Sequence, residues 1–138
     1  MDNHIYEKAL SLVKRSFTGI LGTVEKSGMP QQKAMIKTEA DGLKEFWFCS
    51  NTSSKRVRQI KDNPNASLYF YDEKTFEGLM LTGIAEVSFD DEKRKGFWNE
   101  EMRMYYPQGC YDPDFALVKF TAHKGNYYHG LKNFDFEI

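Results

Sequence analysis

Near the start of the chain, apolar residues recur at spacings of three and four, at Ile5, Ala9, Leu12, Val13 and Phe17. That period predicts an amphipathic helix, capped by Asp2 or Asn3 and ended by Ser16, Thr18 and Gly19. The pattern then shortens to alternation. Ile20 to Val24 reads as a strand, Glu25 to Gly28 as a tight turn, and about Gln31 to Thr38 as a second strand. In that second strand Ala34 and Ile36 share one face, with Lys33, Met35 and Lys37 on the other, and Ala40-Asp41-Gly42 turns the chain again. Phe46 to Ser50 is the third strand. A helix that begins near Ser54 stops at Asp62-Asn63-Pro64-Asn65, because proline cannot continue it and disfavours helical geometry just before it.

Ala66 to Tyr71 gives a fourth strand, Asp72 to Lys74 a turn, and Glu77 to Phe89 a long fifth strand in which Gly83 marks a bulge or a close backbone approach. Asp90 and Asp91 then cap a helix whose Phe97, Trp98, Met102 and Tyr105 form a core-facing stripe, ended by Pro107-Gln108-Gly109. Cys110 to Asp114 forms a loop and Phe115 to Ala122 a sixth strand. Gly125 turns the chain into a short strand, Asn126 to His129, followed by a Phe134 to Phe136 tail. There is no repeat or low-complexity segment. Six or so mostly antiparallel strands with few helices predict an α+β fold around a small closed β-barrel, since closure removes exposed sheet edges.

At 138 residues the chain fits one domain, long enough to bury roughly two-thirds of its unfolded surface. The net charge of −1 gives no global field that points to nucleic acid or a membrane surface, so any anion must be bound locally. Cys49 and Cys110 are the only cysteines. With no signal-peptide pattern and no apolar run long enough for a bilayer, a reducing cytoplasm is the expected compartment, with both thiols reduced.

One stretch stands out chemically. The aromatic strand Phe46 to Ser50 breaks into Asn51-Thr52-Ser53-Ser54 and then the basic run Lys55-Arg56-Val57-Arg58. Thr52, Ser53 and Ser54 can each cap the helix, whose free N–H groups and dipole favour an anion, and Lys55 and Arg56 add charge at the same place. The alternative is an ordinary cap before a solvated basic face. Elsewhere the sequence is poor in catalytic signatures. His4, His123 and His129 lie far apart, which argues against zinc. No nucleophile elbow and no glycine-rich Walker or dinucleotide fingerprint is present.

Taken in order, Gly28-Met29-Pro30, Lys33-Ala34-Met35, Phe46 to Ser50, Ser54-Lys55-Arg56-Val57, Asn63-Pro64 and Gly83-Ile84-Ala85 resemble the pyridoxamine 5′-phosphate oxidase-like family of FMN-binding split barrels. Phe97-Trp98-Asn99, Tyr106 to Gly109 and Asp112-Pro113-Asp114 resemble its general-stress-protein branch, so the likeness covers about residues 5 to 129. It implies that Lys33, Ala34, Met35 and Ile36 run along an FMN ring, that Cys49 and Ser50 contact it from the next strand, and that Ser54, Lys55 and Arg56 hold the phosphate. It further implies a homodimer with flavin at the interface, where Trp98, Tyr105 and Tyr106 either cover the ring from the partner or pack in their own core. Some positions depart from the family. Lys33 stands where many members have arginine, Gly78 replaces a flavin-facing glutamine, and Asn126 to His129 replaces an acidic, aromatic and tryptophan wall. The C-terminal Arg-x-His of the vitamin B6 oxidases is missing. The resemblance therefore implies an FMN-dependent oxidoreductase passing electrons from a nicotinamide donor to a small-molecule acceptor, not a vitamin B6 oxidase. The alternatives are a non-catalytic flavin-binding stress protein and a haem-binding relative ligated by His123 or His129. No catalytic side chain is named, because the flavin supplies the hydride chemistry.

Overall fold

The computed structural model describes residues 3–138. Its elements run α1 (Asn3–Arg15), β1 (Thr18–Val24), β2 (Pro30–Ile36), β3 (Glu39–Asp41), β4 (Glu45–Asn51), α2 (Lys55–Asp62), β5 (Asn65–Asp72) and β6 (Glu77–Ser88). Then follow α3 (Asp91–Phe97), two short 3-10 turns at Glu100–Met104 and Gly109–Tyr111, β7 (Phe115–His129) and β8 (Lys132–Glu137). Together they form the expected α+β split barrel, built on one antiparallel sheet in the order β2-β1-β5-β6-β7-β4-β3 with β8 beside β7.

The two ends of the sheet are joined by a crossing of the chain between β2 and β3. β2 and β3 end the sheet path and do not pair with each other. The two residues between them tie both ends together. Lys37 N–H donates to Phe17 O at 3.1 Å and Thr38 N–H to Trp47 O at 3.1 Å. β2 therefore keeps one edge unpaired among the described residues, with backbone donors and acceptors along it.

Inside the sheet, Leu21, Phe46, Phe48, Leu68, Phe70, Leu79, Leu81, Val118 and Phe120 are buried together. α1 lays Ile5, Ala9, Leu12 and Val13 on them. Each fully buried Leu or Phe contributes about 1.5–3 kcal/mol over leaving it in water. α1 is fixed at its C-terminus by polar contacts. The Lys37 ammonium, its pKa lowered by burial, donates to Val13 O. Arg15 pairs with Asp72 at 3.2 Å and Glu77 at 2.8 Å, and the buried Tyr127 hydroxyl donates to Glu77 at 2.5 Å.

Several sequence expectations shift. Asp2 lies outside the described residues, and Asn3 is already helical. Phe17 is 73% exposed, because the helix ends at Arg15 and the stripe ends with it. In β2 Met35 faces the core, while Ala34 and Ile36 are exposed. The aromatic stripe after Asp90 is no single helix: α3 stops at Phe97, so Tyr105 swings out to 71% exposure and Tyr106 packs inward instead. Gly83 does mark a bulge, with the β6–β7 register shifting between Thr82 and Gly83. Gly125 does not turn the chain. β7 continues through it for 15 residues, and the missing side chain leaves room for the Phe136 ring of β8, the strand that replaces the expected tail.

Candidate functional site

The strand-turn-helix at β4 and α2 forms as the sequence predicts, and its hydrogen bonds divide the three hydroxyls by role. Ser54 is the cap, accepting from Val57 N–H at 3.2 Å, with Ser50 Oγ 3.4 Å from Ser54 Oγ. Thr52 is committed elsewhere. Its hydroxyl donates to Asp114 Oδ1 at 2.6 Å, and the same oxygen accepts Ser53 N–H at 3.1 Å. Ser53 Oγ accepts from the Asn51 amide at 2.5 Å. Asp114 is held below the usual carboxylate range, first by the Thr52 hydroxyl and then, against partial burial, by Ser53.

What remains open at the turn is donor capacity. Capping leaves the first N–H groups of α2, those of Lys55 and Arg56, without helical acceptors. Lys55 is exposed and carries its charge into solvent. Arg56 is half-buried, and its Nε is a buried donor with no partner. A buried unsatisfied donor costs about 1–3 kcal/mol. An acceptor bound there would remove that cost. The residues present thus fit a phosphate, with a guanidinium, an ammonium and backbone N–H groups at a helix N-terminus and no carboxylate facing Arg56 in an ion pair among the described residues.

Lys33, Ala34, Met35 and Ile36 lie on β2, whose free edge runs toward the Lys37-Thr38 crossing. There the Thr38 hydroxyl reaches Cys49 Sγ at 3.8 Å. Burial pushes the Cys49 thiol up and the Thr38 contact opposes it, so the sulfur is neutral at ordinary pH. The structure therefore joins Cys49, Ser50, Ser54, Lys55 and Arg56 in one motif and connects β2 to it through Thr38. Trp98 packs within its own chain. Its ring lies 5.5 Å from Phe115 and 6.4 Å from Tyr106, and its Nε1 donates to Glu100 at 3.0 Å.

Sequence reasoning missed Asp114 and Thr38 as parts of the site, and it named Tyr106 only as a ring cover or a core residue. Tyr106 donates to Ser50 O at 3.3 Å, so residues 89–114 are bonded directly to the turn through Tyr106 and Asp114. Their partners lie more than fifty positions away, and no local spacing signals such pairs. Gly78, where the resemblance implies a flavin-facing glutamine, is overlain by Tyr128: a Cβ there would overlap the ring. The Tyr128 hydroxyl sits 2.7 Å from that of Tyr69, whose pKa is pushed up to about 12 by burial and then by this hydrogen bond. His123 and His129 are both exposed. Among the described residues no group of three or more His, Cys, Asp or Glu is placed to hold a metal ion, and no helix is long and apolar enough to cross a membrane.

Comparison with known proteins gives concordant results. The sequence profile described as "Pyridoxamine 5′-phosphate oxidase like" matches residues 5–135. A pyridoxine/pyridoxamine 5′-phosphate oxidase of Burkholderia mallei is 31% identical over 80 residues, 58% of this chain but only 37% of that protein. Among solved structures, a Clostridium acetobutylicum protein related to general stress protein 26 of B. subtilis, of the pyridoxinephosphate oxidase family, superposes with a TM-score of 0.88. It is 40% identical, and the match covers 100% of this chain and 97% of the other. A haem-binding protein from Mycobacterium smegmatis shares the fold, with a TM-score of 0.76 and 17% identity over 96% of this chain and 57% of its own.

Proposed function

The chain belongs to the pyridoxamine 5′-phosphate oxidase-like family, and on that premise we propose that it is an FMN-binding oxidoreductase. In this reading it acts in the cytoplasm, carrying electrons from a reduced nicotinamide to a small acceptor. The single observation that carries the flavin reading is the unpartnered buried Nε of Arg56 at the N-terminus of α2, next to Lys55. A phosphate there would satisfy it. In this reading Ser54 and Ser50 shape the turn, Lys33 to Ile36 offer the free edge of β2 to the ring, and Cys49 contributes a neutral thiol beside it. The bound flavin supplies the hydride chemistry, while the protein orients it and excludes water. The active form is a homodimer in which a second copy covers the flavin and the bare outer face of β1, β2, β5 and β6. The Tyr128 ring over Gly78 supports a substrate other than a B6 vitamer.

The test is titration of apo-protein with FMN against riboflavin, which lacks the phosphate, followed by flavin fluorescence. FMN is expected to bind well ahead of riboflavin. Replacing Lys55 and Arg56 together by alanine should weaken FMN by about a hundredfold, two charge-assisted contacts being lost, while the far-UV circular dichroism stays unchanged. Equal affinity for the two flavins, or a Soret band on adding haem with no flavin binding, would sink the reading.

A further inference from the structure

The turn between β4 and α2 is held from outside by a single residue. Asp114 Oδ1 accepts from the Thr52 hydroxyl at 2.6 Å and from Ser53 N–H at 3.1 Å, and its main-chain oxygen accepts Thr52 N–H at 2.9 Å. Asp114 is itself fixed. Asp112, only 5% exposed, accepts Asp114 N–H and Gln108 N–H at 2.9 Å each, and its main-chain oxygen accepts Phe115 N–H at 2.9 Å. Phe115 is fully buried and pairs with Asn51, the residue that leads into the turn. In the last turn of α2, Gln59 accepts from the buried Thr23 hydroxyl at 2.6 Å, so the helix is anchored at both ends.

By charge alone an aspartate is a poor neighbour for an anion site. Its carboxylate repels a phosphate, and it occupies the Thr52 hydroxyl and Ser53 N–H, two donors that an anion seated in the turn would use. What it provides is position. With those donors taken, the open ones are the Lys55 and Arg56 N–H groups and the two side chains, presented by a turn whose geometry is set before any ligand arrives. Donors ordered in advance need not be ordered at the moment of binding, which favours the bound state.

We propose that Asp114 is a positioning residue for the phosphate of the bound flavin: it shuts the outer part of the turn to the anion and fixes the N-terminus of α2, so that the protein selects the phosphorylated flavin over the free one. It acts through Thr52 and Ser53, its carboxylate making no contact with the phosphate. This role rests on the flavin reading above and supplies the origin of its phosphate selectivity.

The test measures FMN and riboflavin affinities side by side, by flavin fluorescence, in the native chain and in Asp114→Ala, Asp114→Asn and Thr52→Val, with folding checked by far-UV circular dichroism. Asp114→Ala should lose about tenfold in FMN affinity and none in riboflavin affinity, because two side-chain bonds to the turn are gone. Thr52→Val removes one of those bonds at nearly constant shape and should lose about threefold; it carries the test if Asp114→Ala does not fold. Asp114→Asn keeps an acceptor for both donors and should stay within about twofold of the native FMN affinity. Equal affinity for the two flavins in the native chain would overturn the flavin reading and this role with it. A native preference for FMN that survives Asp114→Ala and Thr52→Val would leave the flavin reading standing and overturn the role of Asp114. A parallel loss of both flavins, the mark of a tether that only holds the fold, would do the same, as would Asp114→Asn binding FMN as weakly as Asp114→Ala.

Discussion

The outer face of the sheet is finished in two ways. Across β4 and β7, Trp47, Phe115 and Leu117 lie beneath Phe97, Trp98, Met102 and Tyr106, all supplied by residues 89–114. Across β1, β2, β5 and β6 the described chain lays nothing comparable: Ile36 and Met80 are 59% and 43% exposed, and Tyr71 is likewise open. Burial alternates along β1, whereas β4 and β7 are buried on both faces over Phe46–Phe48 and Phe115–Val118. What differs is a distant insertion, pinned onto one half by Arg94, which donates to Phe115 O and Asp91 between the rings of Phe89 and Tyr111. The covered half is finished within one chain, whereas the bare half, in the reading proposed above, is finished by a second copy.

The largest test of that difference is Phe115→Ala. Phe115 is fully buried, with Tyr106 and Trp98 rings 5.0 and 5.5 Å away, so the truncation should cost about 3–5 kcal/mol, read as a lower denaturant midpoint. A cost below about 1 kcal/mol, typical of loosely held surface, would mean that the covering does not pack as a core. A change on the bare half should act on assembly instead. Ile36→Asp combined with Met80→Asp is expected to halve the mass seen by light scattering, while the monomer's stability moves by no more than about 0.5 kcal/mol, as for ordinary surface sites. An unchanged mass would remove the second copy from that face.

The same contrast explains which features the sequence revealed. Elements with a strong internal period were legible: α1 from its spacing of three and four, α2 from the Ser54 cap and the Asn63-Pro64 stop, and β6 with its bulge at Gly83. The basic turn was legible because strand, cap and charges are contiguous. Features set by long-range partners were not. Phe97 to Tyr105 fits a helical stripe, but the chain leaves the helix after Phe97 so that Trp98 and Tyr106 can meet Phe115, which puts Tyr105 in solvent. Gly125 reads locally as a turn, yet the close approach of Phe136 makes it a strand residue. Alternation in β2 identified two faces without saying that Met35, rather than Ala34 and Ile36, would face inward.

The smallest effect lies where the covered half meets the turn, at Asp114. Its carboxylate accepts from the Thr52 hydroxyl and from Ser53 N–H, and both bonds are stronger to the ionised form. Its pKa is therefore lower in the folded chain than in the unfolded one, where an aspartate titrates near about 3.9. Its contribution to stability is then fully present above that pH and is lost as the pH falls through the lower, folded value. Asp114→Asn keeps an acceptor oxygen of similar shape but carries no charge to titrate. The thermal midpoint of the native chain should exceed that of Asp114→Asn by a small, constant margin above about pH 5, narrowing in acid until the two curves meet. A margin that widens in acid would show that Asp114 is strained at the turn, and that residues 89–114 hold the motif through Tyr106 alone.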